Sequence, residues 1–156
     1  MPLFKPRRSP LTLSQAYIGF VPSGTTQETA DSYTIPANTF GTNGDCVEIE
    51  WIFQQTVANS CTIAIDTAAQ THMSDARSTV CDRSVLLKIE RVNSTTVRRH
   101  MRYLYGTSTI YNPAVITAGV TDALATLLCE AKVTNSVSAG DMRLISRRVV
   151  FYPAVT

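Results

Sequence analysis

The stretch Cys46-Val47-Glu48-Ile49-Glu50-Trp51-Ile52-Phe53 alternates with a period of two, and this pattern constrains the fold more than any other feature of the chain. Val47, Ile49, Trp51 and Phe53 share one face and Glu48 and Glu50 the other, which suits a half-buried strand and no helix. Asn43-Gly44-Asp45 fixes its start, because Asn and Gly tolerate the positive φ of a tight turn. Cys61 to Ile65, Val85 to Val92, Val97 to Tyr105 and Met142 to Tyr152 read as further strands. Asn93-Ser94-Thr95-Thr96 is short and polar enough to close a hairpin between the third and fourth of these five strands. On the Val97–Tyr105 strand, Val97, Arg99, Met101, Tyr103 and Tyr105 fall on one face, and Arg98, His100 and Arg102 on the other. Leu124 to Val133 has the composition of a helix, but its position between turn signals favours a strand.

About eight short strands, with no internal repeat and no low-complexity tract, predict an all-β antiparallel sandwich of jelly-roll type. At 156 residues the chain has room for one such core. Charged residues make up 17% and hydrophobic residues 44%, which excludes a disordered chain, and abundant Ser and Thr favour strands over surface helices. Residues 1–13 hold three prolines, three basic residues and the apolar anchors Leu3 and Phe4, and read as an extended arm preceding a single domain over 14–156. Leu3, Phe4, Lys5, Arg7 and Arg8 are the residues expected to bind a partner.

A net charge of +2 is far from the basic stripe of a dedicated nucleic-acid binder, so nucleic acid is not the expected partner. No apolar run is long enough for a membrane span, and the N-terminus lacks the apolar core of a signal peptide, so synthesis in the cytoplasm is expected. Cys46, Cys61, Cys81 and Cys129 form no C-x-x-C pair and read as free, mostly buried thiols.

Catalytic chemistry finds little support. His72 reads as a loop residue and His100 as a surface residue between two arginines. Glu48 and Glu50 form an i, i+2 carboxylate pair of the kind any alternating strand produces. Asp45 and Asp141 each follow a glycine and read as turn formers, not calcium ligands. The chain is therefore expected not to be an enzyme and to need no cofactor or metal. Tyr103, Tyr105 and Tyr111 are candidates for glycan stacking, with a core or interface role favoured for each. Alternation places Arg98 opposite Arg99 and Arg147 opposite Arg148, so neither pair makes a patch.

The run Tyr33-Thr34-Ile35-Pro36-Ala37-Asn38-Thr39-Phe40, followed by Asn43-Gly44-Asp45-Cys46-Val47-Glu48-Ile49, resembles a motif of jelly-roll modules in virion structural proteins of tailed bacteriophages. The likeness extends loosely through Leu87 to Thr95 and Gly140 to Leu144. It implies a structural role in the virion, as a capsid decoration or cement protein that binds the major capsid protein or other virion subunits. Such modules assemble as homo-oligomers, commonly trimers. The same resemblance is compatible with a tail or fibre appendage that binds a host receptor or glycan, and with a small coat protein that contacts the genome.

Overall fold

The computed structural model describes residues 9–68, 70–105, 108–116 and 125–154, with the backbone alone for Gln70, His72 and 108–116. Among them are ten strands and no helix: β1 (Leu11–Phe20), β2 (Glu28–Ile35), β3 (Cys46–Gln55), β4 (Cys61–Thr67), β5 (Gln70–Arg77), β6 (Cys81–Arg91), β7 (Val97–Tyr105), β8 (Ser108–Ile116), β9 (Leu127–Asn135) and β10 (Met142–Tyr152). They form two antiparallel sheets, six-stranded β1-β10-β3-β6-β7-β8 and four-stranded β2-β9-β4-β5.

The pairings are nested. β1 pairs with β10, β2 with β9, β3 with β6 and β4 with β5, so strands ever closer in sequence meet toward the middle of the chain. The β7–β8 hairpin continues the larger sheet beyond β6.

The core lies between the sheets. Val47, Ile49, Trp51 and Phe53 of β3 are fully buried, as are Val85, Leu87 and Ile89 of β6 and Ile63 and Ile65 of β4. Each such side chain stabilises the fold by about 1.5–3 kcal/mol relative to exposure, before the entropy of ordering is counted. The Leu124–Val133 segment, expected as a strand despite its helical composition, contributes β9, whose Leu127, Cys129, Ala131 and Val133 alternate inward.

Ten described strands stand where about eight were expected, β6 begins at Cys81 and not at Val85, and two further segments differ from the sequence reading. Leu11 to Leu13 were expected in the arm and instead begin β1, where Leu11 pairs with Phe151 and Thr12 with Val150. His72 was expected in a loop and lies within β5, because Gln70 to Arg77 pairs with β4 as a hairpin. The polar text of β5 hides a strand at the edge of the smaller sheet.

The turns follow the expected chemistry. Gly44 has φ of 92°, a backbone conformation that requires glycine, and a Cβ there would also press on Ala154 at 3.3 Å. Its N–H donates to the Arg91 carbonyl at 2.8 Å. Asn38 also adopts positive φ, 62°, three residues after β2 ends at Ile35. In the β6–β7 turn the Asn93 side chain accepts from the Thr95 N–H at 2.9 Å.

Candidate interaction surface

The five residues expected to bind a partner, Leu3, Phe4, Lys5, Arg7 and Arg8, lie outside the described residues. What is described is the place from which they depart. Ser9 and Leu11 border an open depression of about 570 Å³ whose other walls are the 38–45 loop, Phe151 and Pro153. Asp45 makes this wall firm: its carboxylate accepts from the Thr42 N–H at 2.6 Å and from the Ala154 N–H at 2.7 Å. Arg91 adds a bond to the Phe40 carbonyl at 2.6 Å. The root of the N-terminal segment thus sits against a loop tied to the last strand.

β1 is also fastened to the opposite sheet. Arg147 of β10 reaches across the sandwich to Asp31 of β2, with Nη1 at 2.8 and 2.9 Å from the two carboxylate oxygens. Its Nη2 donates to Ser14 of β1 at 3.1 Å, and its guanidinium lies 5.1 Å from the centre of the Tyr33 ring. Trp51 Nε1 donates to the same carboxylate at 2.9 Å. One arginine therefore joins β10, β1 and β2 at a single mostly buried point.

The outer face of the larger sheet carries the charged rows foreseen from alternation. Glu50 is in register with Arg148 and Leu86, and Glu48 with Val150 and Lys88. Ser84 donates to Glu50 at 2.9 Å. Glu48 borders Tyr152, whose hydroxyl pKa is raised chiefly by burial and further by that carboxylate. The dimple between the two carboxylates has a volume of about 40 Å³, enough for a few water molecules. His100 is half-buried between the exposed Arg98 and Arg102.

Arg98 and Arg99 do part company, as do Arg147 and Arg148, the inward members being Arg99 and Arg147. Tyr103 is buried and Tyr105 is packed between Arg77 and Arg83, each guanidinium 5.5 Å from its ring centre, so both serve the interior. The side chains of Tyr111 and His72 lie outside the described residues. Asp45 and Asp141 act as turn ties, and among the described residues no group of three or more His, Cys, Asp or Glu side chains is placed to hold a metal.

Cys46, Cys61 and Cys129 are buried free thiols and Cys81 is half-buried. Burial pushes the Cys46 and Cys129 thiols up to about 12.

A second interior polar cluster went unforeseen. Arg83, fully buried, donates to Gln55 Oε1 and to the Cys61 carbonyl, the latter at 3.3 Å. Gln55 Nε2 in turn donates to the carbonyls of Val57 at 2.9 Å and Asn59 at 2.6 Å. Asn59 donates to Asp141 at 2.9 Å. Neither a family model nor a curated protein matches the chain.

Proposed function

We propose that the chain is a jelly-roll structural protein of a virus particle, of the tailed-phage kind, acting as a capsid decoration or cement protein. The observation that carries the fold part is the nested pairing β1·β10, β2·β9, β3·β6 and β4·β5 across two sheets. This order supports the jelly-roll reading, since a long hairpin rolled into a double sheet would produce it, with the β7–β8 hairpin as an extension. Jelly rolls serve capsids and lectins alike, so function rests on surfaces, not on the winding.

The surface that supports decoration is the root of the N-terminal segment. A proline-rich basic segment precedes a firmly built edge at Ser9, where pairing with β10 and the Arg147 junction hold the strand that follows it. A segment held at one end reaches a neighbouring subunit and adds its contacts to those of the domain, and linked contacts multiply in affinity. In this reading the domain forms a homo-oligomer on the head, contacts the major capsid protein through Leu3, Phe4, Lys5, Arg7 and Arg8, and performs no catalysis.

The test is co-sedimentation with particles that lack the protein, comparing the full chain with one that starts at Ser9. Starting at Ser14 would also remove paired residues of β1 and confuse folding with binding. Stoichiometric binding by the full chain and loss of binding by the truncated one are expected. Failure of the full chain to bind capsids overturns the decoration reading in favour of a tail or fibre appendage.

A further inference from the structure

Four described strands lie at sheet edges: β1 and β8 in the larger sheet, β2 and β5 in the smaller. An edge strand offers a row of unpaired N–H and C=O groups, and proteins guard such rows with charges or proline. β2 carries Glu28, β5 carries Asp75 and Arg77, and β8 contains Pro113. β1 is ten residues long and has neither a charge nor a proline.

It is also apolar where it is open. Leu11, Leu13 and Tyr17 are 55%, 40% and 80% exposed, and Val21, just beyond the strand, is 49% exposed. The Tyr17 ring folds back over Gly19, whose Cβ position lies 3.0 Å from it. Beside it an open depression of about 360 Å³ reaches Ile52 on the sheet face, with Glu50, Arg147 and Arg148 of the neighbouring strands on its other walls. Bulges at Thr12/Ser14 and Tyr17/Phe20 leave Ser14 to Tyr17 as the straight part of the edge.

We propose that this edge is a self-association seam, at which β1 of a second copy pairs antiparallel across a two-fold axis within Ser14–Tyr17. The partner is argued from charge. Any other described edge of a second copy would bring an ionised side chain or a proline against an uncharged row, whereas β1 meets β1 with no charge on either strand. A two-fold contact is self-complementary and closes after two copies. The antiparallel arrangement sets each Leu11 end beside the partner's Phe20 end, so the two N-terminal segments leave from opposite ends of the seam. The inference rests on the homo-oligomeric part of the proposed function and does not depend on the particle.

Sedimentation equilibrium of the full chain from micromolar to millimolar concentration tests it, together with hydrogen exchange of the β1 amides. A dimer is expected, with β1 amides slowing as it forms. Gln15→Lys puts a lysine on an exposed position of the edge and Tyr17→Ser removes exposed apolar area without adding charge. Each should weaken the dimer by about tenfold or more while leaving the unfolding curve of the monomer intact. Val137→Lys, at a loop position 65% exposed, should change nothing. A monomer throughout, a trimer, or a dimer indifferent to both edge variants overturns the seam. Co-sedimentation with particles then still decides the decoration reading separately.

Discussion

Three arginines, Arg83, Arg99 and Arg147, are carried into the sandwich, and Arg147 and Arg83 are accommodated in different ways. Arg147 meets a carboxylate, Asp31, and the pair is completed by Trp51, Ser14 and the Tyr33 ring. Arg83 meets Gln55, the Cys61 carbonyl and the Tyr105 ring. At the first site charge is cancelled locally, and at the second it is spread over neutral dipoles that continue through Asn59 to Asp141. A cancelled pair is vulnerable to loss of one partner, because the other charge stays buried, whereas a dispersed charge leaves with its own side chain.

The largest expected effect is therefore at Asp31. Asp31→Ala strands the Arg147 guanidinium and the Trp51 N–H, and should cost about 3–5 kcal/mol in denaturant unfolding. A loss below about 1 kcal/mol would mean that the junction is held by packing and not by the ion pair. Arg83→Met should cost less, about 1–3 kcal/mol, since it removes the charge and leaves only Gln55 Oε1 and the Cys61 carbonyl without a donor. An equal or larger loss than Asp31→Ala would erase the distinction between the two sites.

Asp141 probes the far end of the Arg83 network. Hydrogen bonds from Ser138, then Asn59, hold its carboxyl below the usual value. A lowered native pKa means that the unfolded chain binds the proton first. The stability Asp141 contributes is then complete above the unfolded value of about 3.9 and is lost as pH falls through the native value. Asp141→Asn should cost about 1 kcal/mol at neutral pH and flatten this part of the acid limb, which unfolding midpoints measured between neutral and acid pH will read. The smallest expected effect is chemical. Cys61 and Cys129 line the interior near Arg83 and Arg99 respectively, and their thiol pKa values are raised chiefly by burial. With Cys46 similarly buried, a thiol reagent at neutral pH should label the half-buried Cys81 first in the native protein and all four cysteines only after unfolding. Rapid labelling of Cys61 would place the Arg83 end of the sandwich among its opening regions.

Much of this was legible in the chain, and the exceptions share a cause. The inward face of β3 is the alternation of Val47 to Phe53 itself, and the parity that put Arg99 with Val97 and Met101 already marked a buried arginine. Arg83 carries the same signal, lying in phase with Val85, Leu87 and Ile89, but the polar run Asp82-Arg83-Ser84 hides the start of that strand ahead of Val85. β5 was missed because a polar edge strand has little apolar periodicity to show, and β1 because its first residues follow a proline-rich segment.

The sequence by itself determined an all-β sandwich, the inward faces of its central strands, the positive-φ turns at Gly44 and Gly140 and the free thiols. These depend on periods and residue types that act within a few neighbours. The tertiary structure alone decided which residue of β10 turns inward beyond Leu144. Alternation from Met142 carries Leu144, Ser146 and Arg148 inward, but a bulge against β3 after Leu144 shifts the phase, so Arg147, Val149 and Phe151 face the other sheet. That one-residue shift is set by the partner strand and by the wait of Asp31 across the core. No local pattern encodes it, and on it depend the ion pair that fastens β1 and the edge from which the N-terminal segment departs.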